Sequence, residues 1–134
     1  MVQVNTIFVV HTTKNETNAG SDANFELEIE RQGGGGVLEL SFPDLKHDDR
    51  AQGRTDSYRF DVSKQRIDST NLIVNMQMLD TNDGWLPESI FVIGITSTAA
   101  HVLLGSHPNW PSTRWFDRND SRYQAKHRIS GFSL

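Results

Sequence analysis

The stretch Phe25-Glu26-Leu27-Glu28-Ile29-Glu30-Arg31-Gln32-Gly33-Gly34-Gly35-Gly36-Val37-Leu38-Glu39-Leu40-Ser41-Phe42 decides the fold class. Apolar side chains at 25, 27 and 29 alternate with glutamates at 26, 28 and 30, the period of two that turns one face of a strand to a core and leaves the other charged. Four glycines follow, and then Leu38, Leu40 and Phe42 alternate with Glu39 and Ser41. Glycine reaches positive φ without a steric penalty, so the run closes a hairpin between two strands.

The same period recurs on both sides of this hairpin. Val2 to Thr12 reads as a first strand. Tyr58, Phe60 and Val62 share one face of another, and Val74, Met76 and Met78 share one of a third. Ile90 to Ile95 is a continuous apolar run, expected for a central strand buried on both faces. A short strand at His101 to Leu104 and an alternating segment from Tyr123 to Ile129 bring the total to about eight. Val, Ile and Thr number 27 against 16 for Ala plus Leu, a balance that favours strands over helices. No window carries a helical stripe, and there is neither a repeat nor a linker. The reading is one all-β domain over residues 1–134, an antiparallel β-sandwich of two roughly four-stranded sheets.

Composition removes several functions. The 134 residues include 13 Lys or Arg and 17 Asp or Glu, a formal charge of −4, whereas a dedicated nucleic-acid binder carries a basic surface. Cysteine is absent, which removes disulfide scaffolds, zinc fingers and thiol enzymes. No signal peptide or transmembrane segment is legible, which points to a cytoplasmic or peripheral membrane location. The five histidines form no His-Glu-x-x-His or His-x-His pattern, and no Gly-x-Ser-x-Gly elbow or phosphate-binding glycine loop occurs. The expectation is a protein without catalytic residues.

Chemistry concentrates in loops. Thr17-Asn18-Ala19-Gly20-Ser21-Asp22-Ala23-Asn24 and Asp80-Thr81-Asn82-Asp83-Gly84 each run directly into apolar sequence. Asn, Asp and Gly serve turns, and they are also the oxygen donors of a calcium shell, which takes about six to eight ligands. Asp44, Asp48 and Asp49 form a further acidic loop, read as solvated. Trp110 sits between Pro108 and Pro111, where an amphipathic ring can meet a headgroup layer or a sugar face, or fold back over the sandwich edge. Trp85 reads as mainly structural, and Trp115 as buried or interfacial. From Arg114 to Arg128 the chain carries five basic residues and two Asp, a local excess suited to anionic lipid or an acidic partner.

At this point the sequence resembles a known family. Ala19-Gly20-Ser21-Asp22-Ala23-Asn24-Phe25-Glu26-Leu27-Glu28-Ile29 resembles the opening motif of the PLAT, or lipoxygenase-homology, β-sandwich. Gly53-Arg54-Thr55-Asp56-Ser57-Tyr58 is similar to its Gly-x-x-Asp-x-aromatic segment. Asp83-Gly84-Trp85-Leu86-Pro87-Glu88-Ser89-Ile90-Phe91-Val92 is similar to its Asp-x-aromatic-x-x-x-x-Ile-x-Val segment, and Arg114-Trp115-Phe116 to its closing Arg-Trp-apolar landmark. Two features depart from the pattern. Asp49-Arg50-Ala51-Gln52-Gly53 lacks the usual aromatic, and the connection Gly105 to Thr113 is longer.

The resemblance implies calcium, held by Asn18, the Gly20 carbonyl, Asp22 and Asp83, with the Gly84 carbonyl, Asp80 and Asn82 as supplements. It implies a targeting module, attached to or associated with a larger protein, that docks on membrane lipid or on a protein, with Trp110, Trp115 and Trp85 as candidate contacts. Two competing readings remain. One is a carbohydrate-binding sandwich with a structural calcium, which a platform of exposed tryptophans would favour. The other is a self-assembling protein, which a large apolar patch would favour.

Overall fold

In a computed structural model of the chain, the described residues are 3–21, 23–31, 37–43, 50–68, 70, 72–79 and 84–132. The expected glycine turn at 33–36 lies outside them, as do Asp22, Asp44, Asp48, Asp49, Asp80, Asn82 and Asp83. Strands β1 (Gln3–Thr13), β2 (Phe25–Arg31), β3 (Val37–Ser41), β4 (Thr55–Asp61), β5 (Ile67–Asp68), β6 (Leu72–Met78), β7 (Pro87–Thr96), β8 (His101–His107), β9 (Lys126–Arg128) and β10 (Gly131–Phe132) form two sheets. No helix occurs among the described residues, and hence none long and apolar enough to cross a membrane. One sheet has the order β10-β8-β7-β1-β4, with β5 also paired to β1, and the other has the order β3-β2-β6-β9.

The alternation read from the sequence is the alternation of the core. Phe25, Leu27 and Ile29 of β2 face Val4, Ile7 and Val9 of β1 across the sandwich, together with Val74, Met76, Met78, Ile90 and Val92, all buried. Strands β2 and β3 pair in the hairpin register, Leu27 opposite Leu40 and Glu30 opposite Val37. On β1 a bulge between Val4 and Thr6 lets Val4 and Ile7 both point inward. An extra residue in one strand of a pair does this by shifting the facing parity.

Several expectations change in detail. The run Ile90 to Ile95 is central, between β1 and β8, but only Ile90, Val92 and Gly94 are buried. Phe91, Ile93 and Ile95 are half-buried, because no layer of described residues covers the outer face of that sheet. From Tyr123 to Ile129 only Lys126–Arg128 is strand. Before it the chain turns, with the Tyr123 amide on the Asp120 carbonyl and a lone bridge from Gln124 to Phe116. The long connection is shorter than expected, since Gly105 to His107 extend β8. The short pair β10 and β8 is parallel, an exception to the antiparallel rule elsewhere.

The glutamate face of β2 is also less open than its charges imply. Glu26 and Glu28 are buried, flanked by Glu39 of β3, and Glu28 accepts from the Lys126 ammonium at 2.9 and 3.2 Å. That hydrogen bond holds the Glu28 carboxyl below its usual range. Burial, then the neighbouring Glu39 and Glu28, pushes Glu26 up.

Candidate functional site

One end of the sandwich gathers the segments that the sequence singled out. The Ala19 carbonyl accepts the Leu86 amide at 3.0 Å, which locks the loop before β2 to the segment before β7. Asn18, Gly20 and Gly84 are thereby brought to the same end. Asn18 is exposed and adopts a left-handed backbone, φ 67°, which asparagine tolerates. Gly20 sits where a side chain would meet backbone, and Gly84 where one would meet the end of the Asp117 side chain. A Cβ on Gly20 would lie 2.9 Å from the Arg50 carbonyl, and one on Gly84 would lie 2.9 Å from Oδ2 of Asp117.

The donor set suits a hard cation. Neither the Gly20 nor the Gly84 carbonyl makes a backbone hydrogen bond among the described residues, so both remain available as ligands. Asn18 contributes an amide oxygen and Asp117 a carboxylate, all oxygen donors of the kind calcium prefers. Sequence reasoning missed Asp117. Its Oδ1 accepts the Asn119 and Asp120 amides at 2.8 and 3.2 Å, which leaves Oδ2 turned toward Gly84. It reaches this place because Trp85 and Phe116 exchange backbone hydrogen bonds, each 2.9 Å, across an isolated bridge.

Beneath the loops lies a buried polar cluster that the sequence did not announce. Arg50, also with positive φ (56°), is buried. Its Nη2 donates to the Ala23 carbonyl at 2.9 Å, its Nη1 to the Tyr58 hydroxyl at 3.3 Å, and its guanidinium lies 4.8 Å from the centre of the Phe25 ring. Its backbone amide donates to Oδ2 of Asp56 while Arg54 donates to Oδ1, both at 2.8 Å. Those bonds outweigh burial and hold the Asp56 carboxyl below its usual range. The Ser21 amide donates to the Arg50 carbonyl, so Arg50 ties the loop before β2 to the segment before β4. It occupies the stretch that departs from the family pattern. Gly20→Ala should therefore cost about 1–3 kcal/mol in a urea melt, the usual penalty for forcing atoms into a packed site. A change within about 0.5 kcal/mol would show that the Arg50–Gln52 backbone yields.

The tryptophans correct an expectation. Trp85 is fully buried, its Nε1 donating to the Thr13 hydroxyl at 2.9 Å. Trp110 does not protrude. It is 4% exposed and stacks on Phe116, with ring centroids 5.8 Å apart and planes at 19°, while its Nε1 donates to the Arg114 carbonyl at 2.8 Å. The prolines flanking it restrain the loop, but the buried Phe116 ring and the carbonyl at 114 hold the indole inward. Trp115 alone of the three is half-buried, so no platform of tryptophans exists. Of the exposed large apolar residues, Val37 and Leu103 lie on different sheets, and Leu103 continues the half-buried row of Phe8 and Ile93, beside Val10 and Phe91, on the outer face of its sheet. The histidines are packing and hydrogen-bonding groups. Nε2 of His127 meets the Trp115 carbonyl at 2.8 Å and that of His107 the Ile129 carbonyl at 2.6 Å. His11 is buried among Phe42, Tyr58 and Trp85. His47 lies outside the described residues.

No family model matches the chain, and no curated protein matches it by sequence. Solved structures do. The alpha toxin of Clostridium absonum superposes with a TM-score of 0.75 at 17% identity, over 96% of this chain and 32% of the toxin. Alpha toxin from an avian strain of Clostridium perfringens gives 0.73 at 19%, with the same coverage. Coral 8R-lipoxygenase, described as activated by calcium through a C2-like domain, gives 0.62 at 18%, over 93% of this chain and 16% of the enzyme. The chain thus spans about a third of the toxins and about a sixth of the lipoxygenase. Its fold is that of the PLAT, or C2-like, domain, as its landmarks implied.

Proposed function

We propose that this chain is a non-catalytic, calcium-dependent module that docks an attached or associated protein on membrane lipid. The observation that carries the reading is the convergence of Asn18, Gly20, Gly84 and Asp117 at one end of the sandwich, with two carbonyls that make no backbone hydrogen bond among the described residues. The lipoxygenase said to be activated by calcium through a domain of this fold supports it. Asn18, the Gly20 carbonyl, Asp22 and Asp83 hold the cation, with the Gly84 carbonyl, Asp80, Asn82 and Asp117 as further donors. Bound calcium supplies local positive charge on a chain of net charge −4, so that an anionic surface is attracted where the bare loops would repel it.

Burial of Trp110 changes how such a surface is met. The apolar side chain near this end is Leu79, 39% exposed, whose amide donates to the Asn24 carbonyl. Adsorption is then chiefly electrostatic and reversible, since one leucine gives a marginal anchor. The sugar-binding reading has no comparable support among the described side chains, while the apolar row of Phe8, Ile93 and Leu103 on the outer face of the sheet is what a protein-docking or self-assembly reading would rest on.

Calcium should raise the melting temperature, with a stabilisation of about 2.7 kcal/mol when free calcium is about 100 times its dissociation constant. Asp22→Ala and Asp83→Ala should each remove most of that gain and leave the chelated protein folded. Wild type should sediment with anionic vesicles in calcium, release in chelator, and release in high salt. A melt unmoved by millimolar calcium, or vesicle binding indifferent to chelator, overturns the calcium reading.

A further inference from the structure

We infer that a basic hollow beside the proposed calcium loops binds a phosphomonoester headgroup of a membrane lipid. The hollow holds about 410 Å³ between the segment at 113–115 and the segment at 122–128, the size of a small ligand site. Its cations are Arg114, Arg122, Lys126 and Arg128, and no carboxylate lines it. Trp115 and Tyr123, ring centroids 6.3 Å apart, supply apolar surface, and Thr113 and Gln124 supply neutral hydrogen-bonding groups.

The charge count selects the ligand. Arg122 is matched by Asp120 at 2.6 Å and Lys126 by Glu28 at 2.9 Å. Arg114 and Arg128 have no carboxylate partner among the described residues. Arg114 lies 5.6 Å from the centre of the Trp110 ring, and Nε of Arg128 donates to the Ser130 hydroxyl. His127, depressed by burial, adds no charge at neutral pH. Two uncompensated guanidinium groups remain. A phosphomonoester carries about −1.5 to −2 at pH 7 and offers three acceptor oxygens, where a phosphodiester carries only about −1. The planar fork of arginine also matches phosphate oxygens in pairs.

Position selects the source. Phe116, next to Trp115, pairs with Trp85, and Asp117 faces Gly84, so the hollow opens off the end where the cation loops gather. This inference rests on the membrane-docking reading for its lipid, although not for its pocket. A surface drawn to bound calcium would bring headgroups to the hollow.

The test has a soluble arm and a vesicle arm. Glycerol phosphate binding is measured by calorimetry in chelator. Phosphatidic acid vesicles are compared with phosphatidylserine vesicles of equal surface charge. Wild type should bind glycerol phosphate and prefer phosphatidic acid. Arg114→Gln and Arg128→Gln should each weaken both by about tenfold, the scale of one charge-assisted hydrogen bond. Arg59→Gln, the same charge change on exposed β4, should leave the preference intact. An equal loss in Arg59→Gln, or no preference at equal charge, overturns the inference. Calcium-dependent vesicle binding without glycerol phosphate binding removes the pocket and leaves the docking function standing. Glycerol phosphate binding that depends on Arg114 and Arg128 without any vesicle retention keeps the pocket, refutes the lipid source, and sinks the docking function with it.

Discussion

Trp85→Ala should cost about 3–5 kcal/mol in a urea melt, the range for emptying a fully buried large aromatic position. Against the roughly 5–15 kcal/mol that holds a typical domain together, that is about a fifth of the stability or more. The ring is completely buried, meets Phe25, Phe116 and His11 at 4.9–5.3 Å between centroids, and anchors Thr13 through its indole nitrogen. Its backbone pairs with Phe116 on one side, and the next residue pairs with Ala19 on the other. Truncation would therefore loosen both walls of the proposed cation site at once. Trp85→Phe separates the contributions. It keeps most of the apolar burial and drops one hydrogen bond, at about 1 kcal/mol plus the volume lost. A Trp85→Ala protein of near-normal stability but impaired vesicle binding would mean that the ring serves a ligand after all.

What was legible in the sequence followed from backbone geometry. Phe25, Leu27 and Ile29 sit on the core face because successive strand side chains point to opposite sides, whatever their neighbours. The convergence of Asn18 and Gly20 with Gly84 was legible only through the PLAT landmarks. The burial of Glu28 was not legible, since it depends on Lys126 arriving from β9, far along the chain. The direction of the Trp110 ring was left open for a related reason. Prolines announce a restrained loop, but the direction of its ring is set by Phe116 and the Arg114 carbonyl. Asp117 came to Gly84 through a single bridge between Trp85 and Phe116, and an isolated bridge leaves no periodic trace. Arg50 looked like a departure from the family and is the residue that fastens the loop. His11 was readable in principle, because it continues the inward series Ile7 and Val9 on β1.

That inward position makes His11 the origin of an acid sensitivity. Burial, with the nearby Arg50 cation acting in the same direction and Asp56 opposing, pushes its imidazole from 6.5 down to about 3. Neither ring nitrogen finds a hydrogen-bond partner among the described residues. The folded protein keeps the ring neutral while the unfolded chain takes up a proton near its ordinary value, so below that value the unfolded state binds more protons. Stability should be full above 6.5 and fall by about 1.4 kcal/mol per pH unit until about 3. His127, also depressed by burial, pulls the same way. Glu26, raised, opposes, and Asp56 and Glu28, lowered, add their losses only in the carboxylate range. His11→Leu isolates the contribution, because the other groups are common to both proteins. The variant should match or exceed wild type at neutral pH, where no hydrogen bond is lost and an unsatisfied buried group is removed. Its unfolding free energy from urea melts should fall less steeply than that of wild type below about pH 6, by up to about 1.4 kcal/mol per unit. Parallel pH profiles would mean that His11 opens to water before it titrates, and that the end of the sandwich beneath the cation loops is looser than its packing shows.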